Sequence, residues 1–227
     1  MSRVILFDAV GTLLYPDPPV AQAYATTGRL FGSQLEEIEI SRRFRQALKA
    51  SWASSKGDRS TCEEFERQRW RQVVTDVFDD VINQQEALFE SLWNHFSLPA
   101  HWRLFGDVVS TWSELSARGY TLGIASNFDE RLRGLLAGLP PLGNCRHLFI
   151  SSHIGYSKPD PRFYSAVARQ LELPANEILM VGDDYQNDVI GSRAAGMSAI
   201  WLRRGEASTS PATNTIGQLT EMLSLLD

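Results

Sequence analysis

An aspartate near the end of the first apolar segment is the strongest candidate for a reacting group. Residues 3–9 read RVILFDA, and Asp8 leads from them into a short turn that contains Gly11 and Thr12. Glycine in such a turn lets backbone N–H groups approach an anion closely. A carboxylate is an accepted nucleophile in covalent catalysis. We therefore predict that Asp8 is the nucleophile of an enzyme that acts on a small phosphorylated or similarly activated substrate.

Three further carboxylates follow a later apolar segment. The chain reads ILMVGDDYQND from residue 178 to 188, which places Asp183, Asp184 and Asp188 close together. Clustered carboxylates repel one another unless a proton or a cation compensates them. Mg²⁺ prefers oxygen ligands and usually combines one or two carboxylates with water and substrate phosphate. The pattern predicts a magnesium site, with either Asp184 or Asp188 left to cap a helix.

Hydrogen-bond donors occur at two other places along the chain. Ser126 and Asn127 come directly after the segment TLGIA, and Lys158 lies between Ser157 and Pro159 just before a predicted helix. Lysine side chains usually lie in solvent. A position at a helix entry instead favours contact with an anion. We predict that Ser126, Asn127 and Lys158 bind a phosphoryl group.

Apolar runs along the chain predict the scaffold that holds these side chains. Strand-like runs occupy residues 3–9, 121–126, 147–151, 178–182 and 198–202. Segments of helical period separate them; Asp160 and Pro161 open one helix, and Gly196 closes another. Alternating strands and helices predict an α/β fold with a parallel sheet covered on both faces. Ligands bind beyond the carboxyl ends of such strands, where the four polar segments lie.

The region after the first strand has a different composition. Residues 15–98 lack strand-like runs and carry aromatic and charged residues at helical spacing. The apolar residues that share helical faces are Phe44, Leu48, Trp52, Phe65, Trp70, Val73, Val74, Val77, Leu88, Leu92, Trp93 and Phe96. We predict that they form the core of a helical bundle rather than a ligand site. The expected domains are residues 1–14 with 99–227 and an inserted helical domain of residues 15–98, with hinges at residues 16–19 and 98–100.

The segments DAVGT, SN, SKPDP and GDDYQND, in this order, resemble the four motifs of the haloacid dehalogenase (HAD) superfamily. The resemblance covers essentially the whole chain and implies a Rossmann-like core with a mobile helical cap after the first motif. It also implies an aspartyl-phosphate on Asp8. The implied catalytic residues are Asp8 and Lys158, the implied phosphoryl ligands are Thr12, Ser126 and Lys158, and the implied Mg²⁺ ligands are Asp8, the Val10 carbonyl, Asp183 and Asp188, with Asp184 as a further candidate.

Val10 departs from that resemblance. Phosphatases of the superfamily have a second aspartate two residues after the nucleophile, to protonate the leaving alkoxide and activate water. A positioned acid or base contributes about 10²–10⁴ in rate, so its loss disfavours alkyl phosphates. Three interpretations stay open: a Mg²⁺-dependent phosphohydrolase with another proton source or a good leaving group, a 2-haloacid dehalogenase or phosphonatase-like hydrolase, and a catalytically impaired binding or regulatory protein.

Residues 181–183 and the lysines of the helical segment help to choose among these alternatives. HAD-type 2-haloacid dehalogenases work without metal and usually have Ser-Ser-Asn where this chain has VGD at residues 181–183, so the surplus acids favour the phosphohydrolase. A phosphonatase needs a lysine in the cap, and Lys49 and Lys56 are the lysines in the helical segment. Candidates for substrate selection in that segment are Arg42, Arg43, Arg45 and Trp52.

The composition excludes several classes of protein. Hydrophobic residues make up 43% and charged residues 22%, which is typical of globular proteins. The net charge of −5 gives no basic patch for nucleic acid or an anionic membrane. The start of the chain does not resemble a signal peptide, and Cys62 and Cys145 form no CxxC pair. We expect a cytoplasmic enzyme with a small-molecule substrate and a loop at residues 207–214; the sequence does not predict its oligomeric state.

Overall fold

The computed structural model describes residues 4–53, 57–205 and 214–226. The β-strands in these ranges are β1 (Val4–Phe7), β2 (Leu14–Pro16), β3 (Trp102–Leu104), β4 (Thr121–Ser126), β5 (His147–Ile150), β6 (Ile178–Gly182), β7 (Ser198–Leu202) and β8 (Thr215–Ile216). The α-helices are α1 (Val20–Leu30), α2 (Glu37–Ala53), α3 (Glu63–Val77), α4 (Gln85–His95), α5 (Val108–Ala117), α6 (Arg131–Ala137), α7 (Ser151–Ile154), α8 (Pro161–Leu171) and α9 (Gly191–Ala194). Shorter 3₁₀ or π-helical turns lie at Pro99–His101, Leu142–Asn144, Ala175–Glu177, Tyr185–Ile190 and Leu219–Leu225. Lys56 and residues 207–213 of the predicted loop lie outside the described residues.

Six parallel strands form the central sheet of the described chain, in the order β5-β4-β1-β6-β7-β8. The predicted α/β class with a Rossmann-like parallel sheet is therefore confirmed. Strands β1 and β6 are neighbours in the middle of the sheet. The next sheet strand after β1 in the chain is β4, on one side of this pair, and the next after β6 is β7, on the other side. This reversal is the topological switch point, where open parallel sheets bind ligands beyond the strand ends.

The central strands are buried on both faces. Successive side chains of a strand point to opposite faces of the sheet, so a doubly covered strand needs a continuous apolar run. Phe7 of β1 packs against Trp112 of α5, with ring centroids 5.6 Å apart. Leu6 points to the other face and joins a hydrophobic cluster that contains Phe163 of α8. The run predicted as a strand at residues 3–9 thus supplies both layers of the core.

Helices α1 to α4 follow β2 and share a hydrophobic cluster of their own. The predicted members Val73, Val74, Val77, Leu88 and Leu92 are buried in it. The prediction is wrong for Phe65, which is 42% exposed. The prediction is also incomplete, because eight of the predicted core residues, among them Val74 and Leu92, line a cavity that is described below. The antiparallel pair β2 and β3 joins the start and the end of this helical segment.

Two helix ends agree with their sequence signals. The Asp160 carboxylate accepts a hydrogen bond from the Arg162 backbone N–H at 2.8 Å, and Pro161 is the first residue of α8. Gly196 follows α9 with a φ of +87°, a left-handed conformation that favours glycine. No helix in the described ranges is long and apolar enough to cross a membrane.

Candidate active site

Asp8 lies directly beyond β1, and a buried lysine holds its carboxylate. Lys158 Nζ donates to Asp8 Oδ1 at 2.8 Å, to Asp188 Oδ1 at 2.6 Å and to the Ala125 carbonyl at 2.8 Å. The Lys158 side chain is only 2% exposed. Burial alone would lower the pKa of Lys158, but the Asp188 and Asp8 carboxylates outweigh burial, so that the pKa is raised. The ammonium therefore stays charged while it orients Asp8.

Three carboxylates converge at this point of the sheet. Asp8, Asp183 and Asp188 each offer an oxygen atom, and these atoms lie within 4.8 Å of one another. Burial, followed by the charge of Asp8, raises the pKa of Asp183 to about 6, against the lowering effect of a Thr12 hydrogen bond. Burial also raises the pKa of Asp188, against the lowering effect of Lys158. With one ammonium and three carboxylates, the cluster is short of positive charge.

Two glycines let the acids pack directly against the backbone. A Cβ atom on Gly11 would lie 2.3 Å from Asp183 Oδ2, and one on Gly182 would lie 2.1 Å from Asp188 Oδ2. Gly11 also has a φ of +89°, in the left-handed region that glycine tolerates best. The close packing explains why the Asp183 carboxyl is desolvated although the residue as a whole is exposed.

Hydrogen bonds from Arg204 fix the turn that follows Asp8. Arg204 donates to the Gly11 carbonyl at 3.2 Å and to the Thr12 carbonyl at 2.5 Å, and it pairs with Asp107 at 3.0 Å. Thr12 is fully buried, and its hydroxyl donates to Asp183 Oδ1 at 3.0 Å and accepts from the Asp183 N–H at 3.1 Å. In this arrangement Thr12 positions Asp183, whereas the phosphoryl contact expected for Thr12 stays a prediction.

The last residue of β4 lines the cavity, and the residue that follows it holds the loop that carries Lys158. Ser126 is 3% exposed and lines the cavity above Asp8. Asn127 also reaches the cavity, but its side chain holds the backbone of Lys158. Asn127 Nδ2 donates to the Lys158 carbonyl at 2.9 Å, and Asn127 Oδ1 accepts from the Lys158 N–H at 2.7 Å. The amide thereby fixes the loop from which the Lys158 ammonium extends.

The sequence left open whether Asp184 or Asp188 is a cap. Asp184 accepts hydrogen bonds from the backbone N–H groups of Gln186 and Asn187, both at 2.9 Å, and so caps the turn Tyr185–Ile190. Asp188 is fully buried beside Lys158 and belongs to the three-carboxylate cluster. The cap is therefore Asp184.

The loop before α3 lies against the loop that carries Lys158. The Thr61 N–H donates to the Gly155 carbonyl at 3.0 Å, and the Ser157 N–H donates to the Arg59 carbonyl at 2.9 Å. Glu63 at the start of α3 accepts the hydroxyl of Ser152. The helical segment is thus attached to the sheet next to the lysine, in addition to its attachment through β2 and β3.

A cavity of about 430 Å³ opens above the acids and extends into the helical segment. Its floor includes Asp8, Val10, Ser126, Lys158, Asp183 and Asp188. Its walls include eight aromatic and aliphatic residues that the sequence assigned to the bundle core: Phe44, Leu48, Trp52, Trp70, Val74, Leu92, Trp93 and Phe96. That assignment was incomplete because the same helical spacing serves a packed core and a cavity wall.

Two arginines of the cavity wall were missed by the sequence analysis. Arg69 of α3 and Arg131 of α6 line the cavity, whereas the candidates Arg42 and Arg43 pair with Glu39 instead. Arg69 lies among several other charged residues in its helix, so its type and spacing gave no signal. The position of Arg69 beside the cavity becomes visible only from the fold.

Comparisons with known proteins agree with this fold. A family model described as haloacid dehalogenase-like hydrolase matches residues 2–196. The chain is 30% identical to haloacid dehalogenase-like hydrolase domain-containing protein 3 of Homo sapiens, over 99% of this chain and 94% of that protein. A defluorinating L-2-haloacid dehalogenase has a similar fold, with a TM-score of 0.78 at 18% identity over 99% of this chain and 95% of that one. A HAD phosphatase from Thermococcus onnurineus gives a TM-score of 0.65 at 24% identity, over 100% of this chain and 98% of that one.

Proposed function

Because the chain belongs to the haloacid dehalogenase-like hydrolases, we propose that it is a Mg²⁺-dependent phosphohydrolase that acts on a small phosphorylated compound through an aspartyl-phosphate on Asp8. The observation that carries this proposal is the cluster of Asp8, Asp183 and Asp188 around a single buried ammonium. A surplus of carboxylates suits a site that receives a divalent cation together with a phosphate. It suits a halogenated carboxylic acid less well, since like charges repel.

The donor set fits Mg²⁺. Carboxylate oxygens are the ligands that this ion prefers, and the three acids offer one oxygen each within 4.8 Å. We propose Asp8, Asp183 and Asp188 as protein ligands, with the carbonyl of Val10 as a fourth. Bound there, the ion would neutralise charge on the transferring phosphoryl group.

The protein's own groups would perform the remaining steps. Lys158 holds Asp8 Oδ1 at 2.8 Å, and we assign the attack on phosphorus to the other carboxylate oxygen. The Lys158 ammonium and the Ser126 hydroxyl are the proposed donors to the phosphoryl oxygens. Positioned charges of this kind supply most of the catalysis in phosphoryl transfer. A water molecule then hydrolyses the aspartyl-phosphate, and Asp8 is regenerated.

We further propose that residues 15–98 act as a cap over the reacting groups. The cavity reaches from Asp8 to aromatic residues of α2, α3 and α4, so a bound substrate would be enclosed between sheet and helices. Exclusion of water strengthens electrostatic interactions in the site and protects a reactive intermediate. Opening of the cap would then admit substrate and release products.

A substrate and metal survey tests the proposal directly. We expect acetyl phosphate to be hydrolysed in the presence of Mg²⁺, because its leaving group needs no proton. Excess EDTA should reduce the rate by at least about 100-fold, since a catalytic cation contributes several kcal/mol. Release of inorganic phosphate is the measurement, and chloride release from 2-chloropropionate is run in parallel. Chloride release that persists in EDTA and disappears in Asp8→Asn would replace this proposal with a dehalogenase.

The dehalogenase is retained as the second candidate because of Val10. Val10 lines the cavity two residues after the nucleophile, where it cannot transfer a proton. A halide departs without a proton, so valine there is compatible with dehalogenation. For a phosphohydrolase, the same residue restricts the leaving group to one that is stable as an anion or brings its own acid.

Substitution of Val10 tests that restriction. We expect Val10→Asp to raise the hydrolysis of ethyl phosphate by about 100-fold or more, because a positioned acid is restored. The kcat/KM for acetyl phosphate, measured at saturating Mg²⁺, should change by less than about threefold, because transfer of its phosphoryl group to Asp8 needs no acid. Val10→Asn is the matched control: it adds a polar side chain of similar shape that is not a carboxylic acid, and it should leave ethyl phosphate slow. Equal rates for Val10→Asp and Val10→Asn on ethyl phosphate would contradict the explanation.

A further inference from the structure

The walls of the cavity differ sharply in character from its floor. The floor carries the acids and Lys158, whereas the part within the helical segment is formed mainly by aromatic rings, including Trp52, Trp70 and Trp93. A volume of about 430 Å³ is within the range of sites for drug-sized ligands and exceeds what a phosphate alone needs. The part of the substrate that leaves should therefore be a sizeable apolar group, for which aromatic rings are good stacking partners.

One charged side chain in this apolar wall has two nitrogen atoms without a hydrogen-bond partner among the described residues. Arg69 is only 7% exposed, and its guanidinium lies 3.9 Å from the centroid of the Trp52 ring. Its Nη2 donates to Glu66 Oε2 at 2.5 Å. Its Nε and Nη1 are buried and have no hydrogen-bond partner among the described residues. Unmade hydrogen bonds of a buried charged group are costly, so two of them beside a cavity indicate a place for a ligand acceptor.

Arg131, the other arginine of the wall, provides a contrast. It donates to both oxygens of Asp129, from Nε and from Nη2, each at 2.7 Å. Its guanidinium also lies 3.4 Å from the centroid of the Trp93 ring. Arg131 thus forms its hydrogen bonds with the protein itself, whereas Nε and Nη1 of Arg69 have no hydrogen-bond partner among the described residues. The difference assigns recognition to Arg69.

We infer that the preferred substrates are phosphate esters of aromatic alcohols that carry an oxygen acceptor away from the ester, and that Arg69 binds this acceptor. The inference rests on the proposed phosphohydrolase function and specifies its substrate class. The aromatic ring would lie among the tryptophans, with the phosphate at Asp8 and the acceptor at Arg69. Val10 supports the same class by an independent route.

That route is the chemistry of the leaving group. An Asp8 oxygen forms a bond to phosphorus while the bond from phosphorus to the ester oxygen breaks, and the electron pair stays on that oxygen. A phenol has a pKa of about 10, whereas an alkyl alcohol is a far weaker acid, with a pKa closer to that of water. A phenolate can therefore depart without the acid that Val10 replaces, and it takes its proton from water afterwards. Hydrolysis of the aspartyl-phosphate then yields inorganic phosphate.

Three phosphate esters separate the elements of this inference. For the native chain, we expect kcat/KM for phenyl phosphate to be at least about 100-fold higher than for ethyl phosphate, because transfer to Asp8 needs the missing acid only when an alkoxide leaves. We expect 4-carboxyphenyl phosphate to have a higher kcat/KM than phenyl phosphate. Arg69→Met should lower the ratio of these two kcat/KM values by about 10- to 100-fold, the effect expected for hydrogen bonds to a charged group. Arg69→Gln, which keeps a neutral donor, should retain part of the ratio.

Binding of the product provides a readout that needs no turnover. The dissociation constant of 4-hydroxybenzoate, measured by calorimetry, should rise by about 10- to 100-fold in Arg69→Met. Arg29→Met is the matched control, because Arg29 lies in the same helical segment, pairs with Glu36 and does not line the cavity. It should bind 4-hydroxybenzoate as the native chain does.

The outcomes distinguish this inference from the proposed function. If Arg69→Met lowers both kcat/KM values equally and leaves the product affinity unchanged, Arg69 is structural and the inference is overturned while the phosphohydrolase stands. Equal native kcat/KM values for ethyl and phenyl phosphate would overturn the aromatic class. If no phosphate ester is hydrolysed but 4-hydroxybenzoate binds in an Arg69-dependent manner, the pocket assignment is supported and the proposed function fails.

Discussion

Asp8→Asn should abolish phosphate release from acetyl phosphate, with a loss of at least about 10⁴-fold. An amide is not a competent nucleophile, and removal of a hydrolase nucleophile typically costs on the order of 10⁶ in rate. Asparagine has nearly the shape of aspartate and can still accept a hydrogen bond from Lys158, so the fold should persist. The measurement is the steady-state rate, together with acid quenching to detect a covalently phosphorylated chain, which should form with native protein and not with Asp8→Asn.

Asp76→Asn is the control for the same chemical change. Asp76 is an exposed residue of α3 that accepts a hydrogen bond from Gln72, and it does not line the cavity. Its turnover should match that of the native chain. If Asp8→Asn instead kept a tenth or more of the native activity, the nucleophile would have to be sought elsewhere.

Lys158→Met should have the second large effect, on both activity and stability. The change removes the ammonium that contacts Asp8 at 2.8 Å and Asp188 at 2.6 Å, and leaves the buried carboxylates to repel each other. Breaking a buried ion pair by removing one partner costs roughly 3–5 kcal/mol. Activity should fall by at least about 100-fold, because the charge that holds Asp8, and that we propose contacts the phosphoryl group, is lost.

The stability loss should depend on pH. Burial already raises the pKa of Asp188, and removal of Lys158 removes the largest opposing influence. A carboxyl whose pKa is higher in the folded than in the unfolded state destabilises the fold when ionised, and this penalty fades as the pH falls through the folded pKa. Urea unfolding in EDTA should therefore show a larger deficit for Lys158→Met at about pH 8 than at about pH 5.5. Lys49→Met, at an exposed position of α2, should show no deficit, and a pH-independent deficit would contradict the assigned cause.

The sequence predicted the sheet well because its signal is local. The apolar runs of β4, β6 and β7 have the same bounds in the structure as in the prediction. A strand that is buried on both faces must be continuously apolar, so the pattern leaves few alternatives. The order of the strands was not readable from such runs. The neighbourhood of β1 and β6, which brings Asp8 and Asp183 together, depends on contacts between distant parts of the chain.

The helical segment shows the opposite case. Helical spacing predicted that Trp70 and Val73 of α3 face inwards, and both do, but one lines a cavity and the other is packed in a core. Periodicity reports which face of a helix is apolar and does not report how closely the facing helix approaches. Arg69 was missed for a related reason, since a buried arginine and a solvated one look alike in a charged sequence. Thr12 contacts Asp183 and Asn127 contacts Lys158, and such contacts depend on the fold and cannot be predicted from residue type and spacing.

Gly11 and Gly182 carry a consequence for the evolution of this chain. Neither has a side chain that could react, yet any replacement would place a Cβ atom where a carboxylate of the cluster now lies. Selection on Asp183 and Asp188 therefore extends to two residues without functional groups. A substitution at either glycine would have to be accompanied by a change in the acid that packs against it, so we expect each glycine and its acid to vary together.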